Sequence, residues 1–116
     1  MVDRTMESGL LLVNDETFEA EVIRSPLPVV VDFYTDWCGP CRLAEPLLVE
    51  LSRSLEGRVK FAKVNADDSG DVVRSFGIRS IPTYVFVKGG RERGREVGAL
   101  GATEFRSVLR RFFDFA

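Results

Sequence analysis

The chain has 116 residues, 45% of them hydrophobic, and a formal net charge of −2 at pH 7. Its length suits one domain with its own core, and its charge gives no reason to expect a nucleic acid partner. The complete absence of histidine excludes Cys–His catalysis, histidine metal sites and histidine-based pH switching.

Residues 1–9 are polar and acidic and are predicted to form a flexible tail before a single domain at 10–116. They show no basic start followed by an apolar segment, and the apolar runs of the chain are too short to cross a bilayer. We therefore expect a cytoplasmic protein without a membrane partner. In a reducing compartment, two closely spaced cysteines indicate redox chemistry or metal binding rather than a structural cross-link.

Strands and helices are predicted to alternate along most of the chain. Runs of β-branched residues predict strands, and apolar residues spaced three and four apart predict helices that cover the sheet. Helices between strands imply parallel crossovers, whereas Gly89-Gly90 predicts a hairpin with an antiparallel edge. The pattern predicts an α/β sandwich with a mixed sheet. In chain order the predicted elements are a strand at 10–13, a helix capped by Asn14 or Asp15, a strand at 29–34, a helix after Cys38 that ends at Gly57, a strand at 58–65, a short helix ended by Gly77, strands at 84–87 and 91–97, and a helix capped by Thr103.

Two charged residues interrupt apolar strands. Asp32 lies in a run that is typical of a strand buried on both faces, and burial should raise its pKa and make it a candidate proton donor or acceptor. The alternative is a carboxylate at a strand end that caps a turn. Lys63 also lies in a largely apolar strand, where an isolated lysine is more typical of a solvated edge.

The only two cysteines are Cys38 and Cys41, within the sequence Trp-Cys-Gly-Pro-Cys at positions 37–41. Their spacing allows a readily exchanged disulfide. A position at a helix start also favours the thiolate, because unpaired N–H groups and the helix dipole face the sulfur. Pro40 falls in the first helical turn, where its missing N–H does no harm. This pattern indicates a dithiol–disulfide exchange protein.

Pro82, which follows Ile81, lies at the start of a predicted strand. Pro82 cannot donate a ladder hydrogen bond, so it predicts a strand start or a special turn. The peptide bond before it could be cis, but the residues alone favour the trans form.

The Trp-Cys-Gly-Pro-Cys motif, with Ile-Pro-Thr at 81–83 and Val-Gly-Ala at 97–99, resembles the thioredoxin family. The resemblance covers about residues 10–113, with the motifs in the same order and spacing. It implies the thioredoxin fold, a three-layer α/β/α sandwich with a central mixed five-stranded sheet and four flanking helices. It also implies a protein-disulfide reductase that carries electrons in cell redox homeostasis. No cofactor is expected, and the implied partners are disulfide-containing client proteins and an NADPH-dependent thioredoxin reductase.

The resemblance implies roles position by position. Cys38 would be the attacking nucleophile with the more exposed sulfur, and Cys41 the buried resolving thiol. Asp32 would move protons to and from Cys41, with Lys63 as its charged neighbour and Pro82 as a cis proline. The implied client-binding surface is the main chain at Ile81 together with Trp37, Gly39, Pro40, Gly98 and Ala99.

Two features bear on direction and on partner preference. The dipeptide Gly39-Pro40 supplies no charge or imidazole to stabilise the thiolate, which predicts a reductant rather than an oxidant. Tyr34, Arg42 and Ser80 stand where tryptophan, lysine and glycine are common in the family. Ser80 lies beside the implied client groove and so affects partner preference more than chemistry.

Three other functions are compatible with parts of the sequence. A zinc site would need a dimer that shares four cysteines, because one chain offers only two ligands. A binding module of the same fold would carry the redox pair incidentally. An exported oxidase or isomerase is disfavoured by the Gly-Pro dipeptide and by the missing signal peptide. A monomer is the default expectation for a domain of this size.

Overall fold

The computed structural model describes residues 6–7 and 9–114, with side chains from residue 9 onward. Its strands are β1 (Met6–Glu7), β2 (Leu10–Val13), β3 (Val29–Tyr34), β4 (Lys60–Asn65), β5 (Thr83–Lys88) and β6 (Arg91–Val97). Its helices are a π-helix (Glu19–Ile23), α1 (Gly39–Ser54), α2 (Gly70–Phe76) and α3 (Ala102–Phe113).

All strands belong to one mixed sheet in the order β1-β2-β4-β3-β5-β6. The neighbours β2, β4 and β3 run parallel, and β5 and β6 add the antiparallel edge. The predicted α/β class and mixed sheet are confirmed. The sheet has a sixth strand in addition to the five predicted. This strand is the two-residue β1, which lies inside the stretch predicted to be a flexible tail and pairs with β2. The other residues of that stretch, except Gly9, lie outside the described residues.

Helices cover both faces of the sheet because every central strand presents apolar side chains on both sides. Alternate residues of β3 belong to two separate cores: Val30 packs with α1 and α3, whereas Val31 packs with the π-helix and α2. Each fully buried side chain of this size contributes roughly 1.5–3 kcal/mol relative to exposure. Among the described residues, none of the helices has the length and apolar character needed to span a bilayer.

The first helix differs in type from the prediction. Asn14 caps only the turn that leads into it, since Asn14 Oδ1 accepts the N–H groups of Glu16 at 3.0 Å and Thr17 at 3.1 Å. The N-cap residue of the π-helix itself is Phe18, which makes no side-chain capping bond. Further along, the Arg24 N–H donates to the Glu19 carbonyl at 3.0 Å, five residues back, which is the π-helical pattern.

Two other helix ends differ from the predicted residues. Helix α1 ends at Ser54, and the N–H groups of Arg58 and Val59 both donate to the Leu55 carbonyl, so β4 begins only at Lys60. Helix α3 begins after Gly101, whose N–H donates to Glu104 Oε1 at 3.1 Å. Thr103, the predicted cap, therefore lies inside α3. The side chain of Glu104 accepts the N–H of the N-cap residue Gly101 instead.

Candidate active site

The two cysteines form a disulfide at the start of α1, with their Cα atoms 5.3 Å apart. Cys38 is the N-cap residue, and its sulfur accepts the Cys41 N–H at 3.2 Å. Pro40 lies in the first turn, as the sequence predicts. The two residues are 5% and 6% exposed, so whole-residue exposure does not separate their roles. The two residues differ in position, because Cys38 lies at the helix end and Cys41 lies inside the first turn.

A cavity of about 160 Å³ lies behind the disulfide. It connects α1 with the sheet, since Cys41 and Glu45 line it from the helix and Asp32 and Lys63 line it from β3 and β4. Asp32 and Lys63 are Cα partners across the parallel strands and so point to the same face. The fold therefore brings the resolving-thiol candidate and the predicted carboxylate to one cavity, which is partly open to solvent. The other lining residues are Tyr34, Thr35, Asp36 and Arg42.

Asp32 is buried within β3 and not at a strand end, which removes the turn-capping alternative. Burial raises its pKa to about 7, and the nearby Lys63 charge offsets only part of that rise. Asp32 Oδ1 accepts no hydrogen bond from the described part of the chain. The carboxyl group can therefore take up or release a proton near neutral pH.

Lys63 is not at a solvated strand edge, so the expectation drawn from the residues alone is wrong. Its side chain is only 8% exposed. Its ammonium donates to Glu45 Oε2 and lies 4.3 Å from the centroid of the Tyr34 ring. Burial lowers the pKa of Lys63, but the hydrogen bond and charge of Glu45, together with the charges of Tyr34 and Asp32, outweigh this and raise that pKa above its usual value.

Three chain segments meet at the edge of the sheet where α1 starts. Phe33 near the end of β3 pairs with Thr83 at the start of β5, and Thr83 also pairs with Val97 at the end of β6. The loop that leads to Cys38, the residues before Thr83 and those after Val97 therefore lie side by side.

The Ile81–Pro82 bond at this edge is cis, the form that the resemblance implies. The expectation of a trans bond, drawn from the residues alone, is therefore wrong. Pro82 is buried, and its carbonyl accepts the Gly98 N–H at 2.8 Å, which ties the two segments together.

The other residues of the implied client surface lie around the cysteines with different exposure. Trp37 is 68% exposed and its Nε1–H donates to Asp67 Oδ2 at 2.9 Å, which fixes the indole. Val97 is also exposed, at 64%. Gly39, Pro40 and Ala99 are exposed, whereas Ile81 and Gly98 are half-buried.

Comparison with known proteins identifies the family. The family model named thioredoxin matches residues 9–111. Thioredoxin 1 of Nostoc sp. is 43% identical over 102 residues, which cover 88% of this chain and 95% of that protein. This chain belongs to the thioredoxin family. Thioredoxin of Haemophilus influenzae is 40% identical over 102 residues, 88% of this chain and 95% of that one. Thioredoxin M-type, chloroplastic, of Brassica napus is 38% identical over 107 residues, 92% of this chain and 60% of that one.

Membership in the thioredoxin family, with the paired cysteines in place, defines the activity. The protein is a protein-disulfide reductase that acts by dithiol–disulfide exchange through the Cys38–Cys41 pair. Thioredoxins generally work with a thioredoxin reductase and with disulfide-containing clients. The predicted family and activity are both confirmed.

Two residues near the site of this thioredoxin are not singled out by its sequence patterns. Glu45 follows Cys41 by four residues, and this spacing places both side chains on one face of the helix. The spacing is the sequence pattern that could have identified Glu45 as a residue of the site. Leu43 is 85% exposed, and it falls outside the apolar stripe of α1 formed by Ala44, Leu47, Leu48, Leu51 and Leu55.

Proposed function

We propose that Cys38 is the attacking nucleophile of this reductase and Cys41 the resolving thiol. The observation that carries the assignment is the position of Cys38 at the N-cap of α1, where its sulfur accepts the Cys41 N–H at 3.2 Å. In the dithiol form, that N–H and the helix dipole would stabilise a thiolate at Cys38. Cys41 instead lines the inner cavity with Asp32, so it would need a base to lose its proton.

The reaction has two exchange steps. The Cys38 thiolate attacks one sulfur of a client disulfide, and the other client sulfur leaves as a thiolate and is protonated. Cys41 then gives its proton to Asp32, and its thiolate attacks the Cys38 sulfur of the mixed disulfide. The second client sulfur leaves as a thiolate. Two electrons thus pass to the client, and Cys38 and Cys41 end as a disulfide.

Asp32 suits the role of proton acceptor because both of its protonation states are accessible near neutral pH. Its burial raises its pKa to about 7, which lies close to the pH at which a cellular reductase works. The positive charge of Lys63 would stabilise the ionised carboxylate of Asp32, since it lowers the pKa of Asp32.

We propose that clients bind across the sheet edge beside the disulfide. Trp37 and Val97 expose apolar surface there, and an extended client segment could hydrogen-bond to the main chain at Ile81. The client backbone could approach closely at four positions of this surface, because the side chains there are absent, small or compact. These positions are Gly39, Pro40, Gly98 and Ala99.

The chain carries no Gly-rich dinucleotide fingerprint, so in this proposal its electrons come from a partner protein. Membership in the thioredoxin family supports an NADPH-dependent thioredoxin reductase as that partner. We place this monomeric reductant in the cytoplasm, without nucleic acid or membrane partners. A reductant needs a compartment that resupplies electrons, and the net charge of −2 offers little attraction to polyanions. Fractionation of the native host and light scattering of the purified chain test these assignments.

Serine variants test the cysteine roles. Cys41→Ser should accumulate a covalent mixed disulfide with a reducible client, because Cys38 can attack but nothing resolves the product. Cys38→Ser, the matched control, should trap none. Trapping by Cys38→Ser and not by Cys41→Ser, read on non-reducing gels and by mass spectrometry, would reverse the assignment.

A further inference from the structure

The carboxylates of Asp32 and Glu45 and the ammonium of Lys63 meet at the cavity behind the disulfide. Asp32 and Lys63 are register partners on β3 and β4, and Glu45 reaches them from α1, one turn beyond Cys41. The Lys63 ammonium donates to Glu45 Oε2. It also lies over the Tyr34 ring, which favours a cation at this place.

The exposure of the partners shows where Lys63 directs its charge. The Glu45 side chain is 45% exposed, whereas the Lys63 side chain is 8% exposed. The Lys63 stem is therefore buried, and its head is bonded to a carboxylate on the solvent side of the cavity. Asp32 lies deeper and leaves Oδ1 without a hydrogen bond from the described residues.

We propose that Glu45 is a positioning residue for thiol–disulfide exchange: its carboxylate holds the Lys63 ammonium on the solvent side of the cavity and withholds part of that charge from Asp32. Asp32 is thereby kept able to carry a proton at neutral pH. The inference rests on the role proposed above for Asp32 as the acceptor of the Cys41 proton.

The electrostatics around Asp32 agree with this arrangement. Burial raises the pKa of Asp32, the Lys63 charge lowers it, and the Glu45 charge raises it again. From the neighbouring strand, Tyr84 of β5 is the Cα partner of Asp32, and burial raises the pKa of its phenol so that it stays neutral. Around the same cavity lie Tyr34, Asp36, Cys41 and Arg42.

Titration of Asp32 by carbon NMR in the reduced, isotope-labelled full chain tests the proposal. Glu45→Gln keeps the size of the side chain and removes its charge, so Lys63 would turn its full charge on Asp32. We expect the Asp32 midpoint to fall by about half a pH unit or more. The matched control is Glu50→Gln, which removes a charge from the same helix where Glu50 is 68% exposed and pairs with Arg106. Equal shifts in both variants, or none in Glu45→Gln, would overturn the proposal.

A second background separates positioning from simple repulsion. In Lys63→Met, there is no ammonium to release, so Glu45→Gln should shift the Asp32 midpoint by less than half of its effect in the parent chain. Equal shifts in the two backgrounds would mean that Glu45 acts only as a nearby negative charge, and the positioning role would fail. Unchanged amide chemical shifts away from the cavity check that both variants are folded.

The titration needs no client, so its result is independent of the proposed role of Asp32. The rate at which Cys41 resolves a preformed mixed disulfide is measured separately against pH. We expect its profile to move with the Asp32 midpoint in Glu45→Gln. A shifted titration with an unmoved rate profile would refute Asp32 as the proton acceptor, whereas an unshifted titration would refute the positioning by Glu45.

Discussion

Asp32 and Lys63 are register partners on two parallel strands, and both are buried on the face of the sheet covered by α1. Their neighbourhood explains how a reductase domain without histidine can hold a side chain that titrates near neutral pH. A carboxyl group gains this ability here because it has lost its hydration, while a lysine beside it limits the cost of its ionised form. Cys41, which forms the disulfide with Cys38, lines the same cavity.

Burial of Asp32 should make the stability of the oxidised protein depend on pH. Its pKa is raised from 3.8 to about 7 in the folded chain. Between these values the unfolded chain releases the proton that the folded chain keeps, so stability is highest below the lower value and falls as pH rises through the upper one. Asp32→Asn should remove that decline and stabilise the protein at pH 8 by roughly 2–4 kcal/mol.

Urea unfolding of both proteins across this pH range measures the effect. The control is Asp68→Asn, because Asp68 is exposed and does not line the cavity. If Asp32→Asn and the parent lost stability in parallel between pH 4 and pH 8, the carboxyl group would not be buried as described.

The reduction potential should depend on the two residues between the cysteines. Pro40 lies in the first turn of α1, within the same turn as the Cys38 sulfur, and brings no charge. An imidazolium at this position would stabilise the Cys38 thiolate and so the reduced form. Pro40→His should therefore make the potential more oxidising by about 30 mV or more.

Equilibration with a series of glutathione buffers gives this potential for both proteins, and Pro40→Ala serves as the control for loss of the ring alone. A parent potential more oxidising than the glutathione pool would contradict the reductant role. An unchanged or more reducing Pro40→His variant would show that the first turn does not control the thiolate.

Gly94 should be intolerant of any side chain. The Phe112 ring of α3 lies directly over Gly94 of β6, so that an added methyl group would overlap ring atoms. The same ring packs on Phe86 with centroids 5.1 Å apart, which leaves it little room to move. Gly94→Ala should destabilise the protein by about 1–3 kcal/mol.

Thermal or denaturant unfolding measures this loss. Phe112→Leu in the Gly94→Ala background should recover part of it, because the smaller side chain makes room for the methyl group. Fully additive losses in the double variant would show that the ring and Gly94 do not contact each other.

Much of the fold and part of the site could be predicted from the sequence, because they depend on interactions between residues close together in the chain. The apolar runs and helical spacings predict the α/β class, the order of the elements and the mixed sheet, because these patterns depend only on near neighbours in the chain. The same holds for Cys38 at a helix start with Pro40 in the first turn. The buried position of Asp32 followed from its apolar neighbours in the strand.

Contacts between distant segments decided the rest. The residues alone favour a solvated Lys63 and a trans bond before Pro82, and the structure has a buried lysine and a cis bond. Glu45 meets Lys63 only because α1 packs across β4, and β1 forms only because β2 offers it an edge. The sequence by itself determined the elements and the redox pair, whose causes lie within a few residues. Only the tertiary structure decided the charges behind the disulfide, because their partners lie on separate elements and their energies depend on shared burial.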